Sequence, residues 1–401
     1  MTSRRMAILG AGPVGLAALA RAREQGWDAR VYERGRVGEN VRAWGHVRMF
    51  SPHGMNAGGG VTGAGAPGPD DLLTGDEYVE AYLEPMSRRA GLIERVMTGT
   101  AVLAVSRGGL RKGDEIATRE RGLRPFHVLV EGPAGERVEE AEVVLDATGT
   151  FGTPNWLGEG GIPAPGERAA GAGVEHALPD LEGVARGLYS GRHTLVVGSG
   201  HSAATAIGWL ARIARGSPGT RVTWVTRSAA SRPVAEVPVD PLTERARVAA
   251  EANDMAAAAG RGEAPWLARL PGFAVRGVER AGEGFRARLS RGAEERTLAA
   301  DRLLALVGYR PDLELTRELQ VQTCWATEGT YPLAAALLSL EGAAAGDCLR
   351  VPDLGSGTLL HPERGFFTVG AKSYGRNPNF LIRSGLRQVD EVLELLRGHA
   401  A

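Results

Sequence analysis

Short unbroken apolar runs, each closed by glycine or a turn residue, punctuate this chain: "MAIL" before Gly10, "EVVLD" before "ATG", "TLVV" before Gly198 and "FFTV" before Gly370. Runs of this length, rich in branched residues, read as buried strands. The first leads through a Gly10–Gly15 turn into a helix over Leu16–Gln25, and "DARVYER" forms the next strand, ending at Glu33. Further strands follow at "TAVLAVSR", "PFHVLVEG" and "AEVVLDATG". Between them, "TGDEYVEAYLEPMSRRAGL" predicts a helix: Thr74 is its cap, and Glu77 three residues on completes a capping box. The stretch "MNAGGGVTGAGAPGPDD" from Met55 has no apolar period and reads as a surface loop.

The pattern then restarts. A proline- and glycine-rich connector, "GTPNWLGEGGIPAPGE", precedes a second strand–turn–helix–strand from "HTLVVGSG" to "RVTWVTRS". An Ala-rich helical segment, "DPLTERARVAAEANDMAAAAG", comes next. The Gly-Tyr-Arg-Pro turn after "DRLLALV" suggests a chain re-entering its first domain, which ends with the strand "GFFTVG", the loop "AKSYGRNPNF" and the helix "SGLRQVDEVLELLRG". The expected division is 1–155, 156–304 and 305–401, the middle block being an insertion into the domain made by the other two.

Two of these turns carry chemistry. Gly10-x-Gly12-x-x-Gly15 follows a buried strand and opens a helix. The first glycine permits the tight turn, the second lets a pyrophosphate approach the backbone, and the third lets helix and strand pack closely. The phosphates then sit on free N–H groups at the positive helix end. Glu33, about 20 residues on, is placed to accept hydrogen bonds from ribose hydroxyls. The second turn, Gly198-x-Gly200-x-x-Ala203, differs at the end of its following strand, where Arg227 and Ser228 stand instead of an acid. A cation there suits a 2′-phosphate, so this turn is expected to prefer NADPH to NADH. His201, in the first helical turn, reads as a helix-start residue facing solvent or the neighbouring domain, with a phosphate or nicotinamide contact as the alternative. Two cradles imply two nucleotides, one resident and one visiting, which is the arrangement of flavin with nicotinamide.

Composition narrows the class. Lys plus Arg and Asp plus Glu both total 47, so the balance argues against nucleic acid or an acidic membrane as a partner. The two cysteines, Cys324 and Cys348, are too few for a secreted disulfide scaffold and form no C-x-x-C pair, which points to the cytoplasm. The sequence contains no Walker lysine motif, H-E-x-x-H or G-x-S-x-G, and no metal site is expected. Only Lys112 and Lys372 are lysines among the many arginines, which singles out Lys372 in its short donor-rich loop.

The two fingerprints, "LDATGTFGTPN" from Leu145 and "LVGYRPD" from Leu306, together resemble the flavoproteins with two dinucleotide-binding domains, over nearly the whole chain. That group includes flavin monooxygenases and disulfide reductases. The resemblance implies an α/β fold of two Rossmann-like domains, the NADPH domain inserted into the FAD domain. It places Thr148 and Gly149 near FAD and brings Gly370 and the helix from Ser384 toward the flavin ring. The signature F-x-G-x-x-x-H-x-x-x-[WY] of the Baeyer–Villiger and flavin-containing monooxygenases is reduced here to His176 in "GAGVEHALPDLEG". The cysteine pair of the disulfide reductases is also missing, so the similarity is to a looser set of monooxygenase-like bacterial enzymes.

The loop "GENVRAWGHVRMFSPHGMN" from Gly38 would pass the FAD in this fold. Arg42 is then a candidate to neutralise pyrophosphate, Trp44 and His46 to flank the ring, and His46, Asn56 and Lys372 are the catalytic candidates. A cation at Lys372 would favour the reduced, anionic flavin electrostatically. Ordinary loop packing, or a structural salt bridge for Lys372, is the alternative in each case. The expected function is an NADPH-dependent FAD oxidoreductase that oxygenates a small molecule with molecular oxygen. Transfer of electrons to a quinone, imine or partner protein is the second reading, and a flavin-binding redox sensor without turnover the third. A homodimer is compatible with all three.

Overall fold

A computed structural model describes residues 4–58, 66–340 and 348–398. Residues 59–65, the glycine-rich centre of the expected surface loop, lie outside them. The chain forms two compact units, one made of residues 1–153 with 309–401 and the other of 154–308.

In the first unit five parallel strands lie in the order Phe366–Thr368, Val143–Asp146, Arg5–Leu9, Asp28–Tyr32, Val96–Met97. The register aligns Leu9 with both Asp146 and Tyr32, and Asp146 with Thr368. The carboxyl ends of the strands therefore share one edge, the edge at which open α/β sheets bind ligands. Ile8, Leu9, Val31, Val144 and Leu145 are buried on both faces, which is why their sequences read as unbroken apolar runs. The helix Pro13–Glu24 covers one face and packs against the closing helix Ile382–Gly398 through Leu16, Leu19, Val389 and Leu393. On the other face a three-stranded antiparallel sheet (Ala101–Arg107, Phe126–Gly132, Gly135–Ala141) adds Val105, Phe126 and Val128 to a core with Leu9 and Phe366.

The second unit repeats the plan. Its parallel sheet runs Leu267–Pro271, Arg221–Thr226, His193–Val197, Arg302–Ala305, Val174–Glu175. An antiparallel sheet of Ala274–Ala281, Gly284–Arg291 and Glu294–Ala300 closes its core through Val275, Phe285 and Leu289.

Four local expectations shift. The strand expected to end at Glu33 ends its ladder at Tyr32, and the first helix begins at Pro13, inside the glycine turn, where proline's missing N–H costs nothing. The helix capped by Thr74 has the expected capping box, but at Val79–Leu83 it widens into a π-turn. Pro85 supplies the reason: it has no N–H to offer the carbonyl of Ala81, so the ladder slips by one residue there. The segment from Met55 begins inside a helical turn, His53–Asn56, rather than in irregular loop. Among the described residues no helix is long and apolar enough to cross a membrane.

Candidate nucleotide sites

In the first unit the turn between Leu9 and Pro13 is built for close approach. A Cβ on Gly15 would stand 1.9 Å from the Gly10 carbonyl oxygen, so only glycine lets the helix pack there. By contrast, a Cβ on Gly12 would meet nothing within 4 Å: the backbone faces open space. No side chain caps this helix and its first turn holds no acid, leaving its positive end to a ligand anion. Glu33, 9% exposed, accepts the Ala11 N–H at 2.8 Å with one carboxylate oxygen and the Gly35 N–H at 2.9 Å with the other. Each oxygen keeps further lone pairs for donors such as ribose hydroxyls. The cleft beside it is lined by Gly10, Glu33, Arg34, Asn40, Thr148 and Gly149. Glu33→Gln keeps one carbonyl acceptor but loses the charge, and is expected to raise the dissociation constant for FAD by roughly tenfold or more, read by flavin fluorescence on titration.

The candidates on the loop from Gly38 have structural partners. The Arg42 guanidinium donates to the Glu84 carboxylate and to the Val37 carbonyl. Trp44 packs against the core of the unit and over Gly75, whose Cβ would be 2.9 Å from the indole. His46 is half-buried and also engaged. Asn56, 1% exposed, donates to the Ser51 carbonyl at 3.0 Å and accepts the Ser51 hydroxyl at 2.9 Å, while its own carbonyl accepts the Tyr78 hydroxyl at 2.6 Å. Its hydrogen bonds shape the loop.

Lys372, 2% exposed, donates to the Asp146 carboxylate at 2.6 Å and to the Thr148 hydroxyl at 3.2 Å, and that hydroxyl in turn donates to Asp146 at 2.6 Å. The ammonium is thus neutralised by a carboxylate that is itself fully buried. Asp146 is a residue that sequence reasoning misses; its signal is an acid closing an apolar strand, which demands a buried partner. Gly370 takes φ +73°, and its N–H donates to the Gln388 side chain at 2.8 Å, fastening this loop to the closing helix. Nearby, burial drives His361 down to about 4 from an ordinary 6.5, despite the opposing charges of Asp146 and Glu363. The unfolded chain therefore binds this proton first as pH falls, so stability contributed by neutral His361 is expected to be lost between about pH 6.5 and pH 4. Urea midpoints across that window check it, and His361→Gln should flatten the slope.

The second cradle matches the first in form. A Cβ on Gly198 (φ +130°) would lie 2.2 Å from the Leu306 carbonyl oxygen, and the buried Trp224 indole N–H holds the Gly198 carbonyl at 2.7 Å. Gly200 again faces open space, and Ala203 is wholly buried where the helix His201–Gly216 meets the sheet. That helix has no side-chain cap and no acid in its first turn. Arg227, next after the strand Arg221–Thr226, is exposed and makes no hydrogen bond or ion pair among the described residues. His201 starts its helix and is half-buried; burial and the nearby Arg245 push its pKa below the usual imidazole range, with Asp240 opposing.

Each unit thus has a parallel sheet, a glycine turn open to solvent and an uncapped helix end behind it. Comparison with known proteins agrees on the fold. No family model matches, and neither does any curated protein. Among solved structures the chain is similar to the bacillithiol disulfide reductase of Bacillus cereus, with a TM-score of 0.71, 19% identity, and coverage of 99% of this chain and 100% of that one. It is also similar to the ornithine N-hydroxylase of Kutzneria sp. 744, solved with reduced FAD, NADP+ and L-ornithine (TM-score 0.64, 16% identity, 100% of each chain). A flavin monooxygenase from Stenotrophomonas maltophilia gives a TM-score of 0.59 at 21% identity, again over 100% of each chain. The chain has the fold these reductases and monooxygenases share.

Proposed function

We propose that this protein is an oxidoreductase that holds FAD in the cradle of residues 10–15 and receives hydride from NADPH held in the cradle of residues 198–203. The observation that carries the reading is the contrast between two otherwise equivalent turns. One strand is followed by a buried carboxylate fixed by two backbone N–H groups, the other by an unpaired exposed arginine. A carboxylate suits a bare ribose diol and a guanidinium suits a phosphate, so the two cradles take different nucleotides.

FAD would supply two-electron chemistry at its ring; the chain's own groups bind and orient. Glu33 takes the ribose, the helix end behind Gly12 the pyrophosphate, and Thr148 and Gly149 line the path onward. Lys372 and Asp146 form a neutral pair that joins the ends of the neighbouring strands Val143–Asp146 and Phe366–Thr368. Within this reading the reaction is oxygenation of a small molecule, supported by the likeness to a hydroxylase and a flavin monooxygenase. The likeness to a disulfide reductase supports the second reading, electron transfer without oxygenation. Among the described residues neither Cys324, partly exposed, nor Cys348, buried, is in a disulfide.

One experiment separates them. The protein is loaded with FAD, reduced by NADPH without oxygen, and mixed rapidly with oxygenated buffer. A transient absorbing species before the oxidised spectrum returns supports oxygenation; direct reoxidation favours the reductase. A protein that NADPH fails to reduce would leave only the sensor, and one that binds no FAD would end the account.

A further inference from the structure

The segment joining the strand Arg221–Thr226 to the helix Thr243–Gly260 contains an arrangement that neither cradle nor fold requires. The helices His201–Gly216 and Thr243–Gly260 run side by side in the same direction. Glu251 lies within 3.6 Å of a Cβ at Gly208 and 3.9 Å from Arg212, and one helical turn or two earlier Arg245 is close enough to His201 to depress its pKa. Both helices follow strands of one parallel sheet, so both positive ends face the edge where the Gly198–Gly200 turn opens. At that edge lies an ion pair. Arg245 donates through Nε to one oxygen of Asp240 at 2.7 Å and through Nη2 to the other at 2.8 Å, and the Leu242 N–H adds a third bond at 2.9 Å. The two side chains are 7% and 1% exposed.

The loop that delivers Asp240 is anchored at its base and strained at its tip. Its base is fastened where the fully buried Asn253 pairs with both the N–H and the carbonyl of Val234, at 3.0 Å each. Its tip is Val239, a β-branched residue held at φ +52° while 99% exposed. Left-handed backbone at a β-branched residue is unfavourable, and no packing of that side chain offsets it. The strain is held in place by the ion pair that the adjacent Asp240 makes with Arg245.

Resting on the reading that this unit binds a dinucleotide, we propose that Arg245 is a ligand for the coenzyme pyrophosphate, masked in the free protein by Asp240. A carboxylate and a phosphate present the same paired oxygens to a guanidinium, so the exchange replaces one bidentate partner by another. Asp240 occupies the place that favours an anion, and the diphosphate displaces it. The strained loop then swings out about Val234 and relaxes at Val239. Coenzyme affinity is lowered by the cost of breaking the pair, and removing Asp240 removes that cost.

The test uses the FAD-loaded full chain, with NADPH affinity from fluorescence titration and thermal midpoints with and without saturating NADPH. Asp240→Asn is expected to bind NADPH about tenfold more tightly, with a lower midpoint than wild type in free form and an equal midpoint when saturated. Arg245→Gln added to that variant should abolish the gain. Val239→Asn, which tolerates the left-handed backbone and touches no ligand, should stabilise the masked state and weaken NADPH about fivefold. A merely structural pair predicts equal midpoint losses in both forms and unchanged or weaker binding, which would overturn the proposal, as would a neutral Val239→Asn. Wild-type protein that binds neither NADPH nor NADH sinks the dinucleotide reading and this inference together; wild type that binds, with Asp240→Asn no tighter, sinks the inference alone.

Discussion

Arg227→Ala is expected to weaken NADPH by roughly tenfold or more while leaving NADH binding nearly unchanged, because under the proposed function the guanidinium serves only the 2′-phosphate. The size of the effect follows from Arg227 being exposed and without a hydrogen bond or ion pair among the described residues, so none of these must be broken before it meets a phosphate. The same exposure makes the contribution salt-dependent. The preference for NADPH should shrink as ionic strength rises and the screening length falls below about 10 Å. Thermal stability should be unchanged, since a solvated side chain without contacts adds little to the fold. KM ratios for NADPH and NADH in the variant, at low and high salt, check both halves. Equal losses for the two coenzymes would refute the assignment of this cradle to NADPH.

Lys372→Met is expected to cost about 3–5 kcal/mol, the range for leaving one member of a buried pair without its partner. Asp146 is fully buried at the edge of the central sheet, and after the change it would keep only the Thr148 N–H at 3.1 Å and the Thr148 hydroxyl. Asp146→Asn combined with Lys372→Met removes the orphaned charge and should recover most of the loss, a non-additivity that denaturation midpoints of the four proteins would read. The same cycle distinguishes two roles for the lysine. If Lys372 and Asp146 act as a clamp between neighbouring strand ends, the double variant regains both stability and the NADPH-driven rate of flavin reduction. If the lysine charge is needed at the flavin, stability returns and the rate does not.

How much of the molecule is legible in its chain depends on the range of the forces involved. The glycine turns, the buried strands and the Thr74 capping box are local: backbone sterics and period-two or unbroken apolar runs dictate them within a dozen residues. Glu33 and Arg227 are legible because a strand carries the residue that follows it to the sheet edge whatever the rest of the fold does. Arg42, Asn56 and Lys372 are visible as polar residues in suggestive loops, but not their partners. Glu84 lies 42 positions from Arg42, and Asp146 lies 226 from Lys372. No pattern in either loop encodes a carboxylate supplied from so far away. The π-turn before Pro85 is legible in principle, since the missing N–H is written in the sequence.

The sequence by itself determined that there are two glycine turns, each leading from a buried strand into a helix, and which sign of charge stands after each second strand, because these are properties of contiguous segments. Only the tertiary structure decided which of the remaining polar groups are free to meet a ligand. Whether a buried charge is available depends on what faces it, and that is set by parallel strands and helices that bring distant residues to one edge. Thus Lys372 faces Asp146, Asn56 faces its own loop, and His201, which starts its helix as expected, is partly buried within electrostatic reach of Arg245 and Asp240.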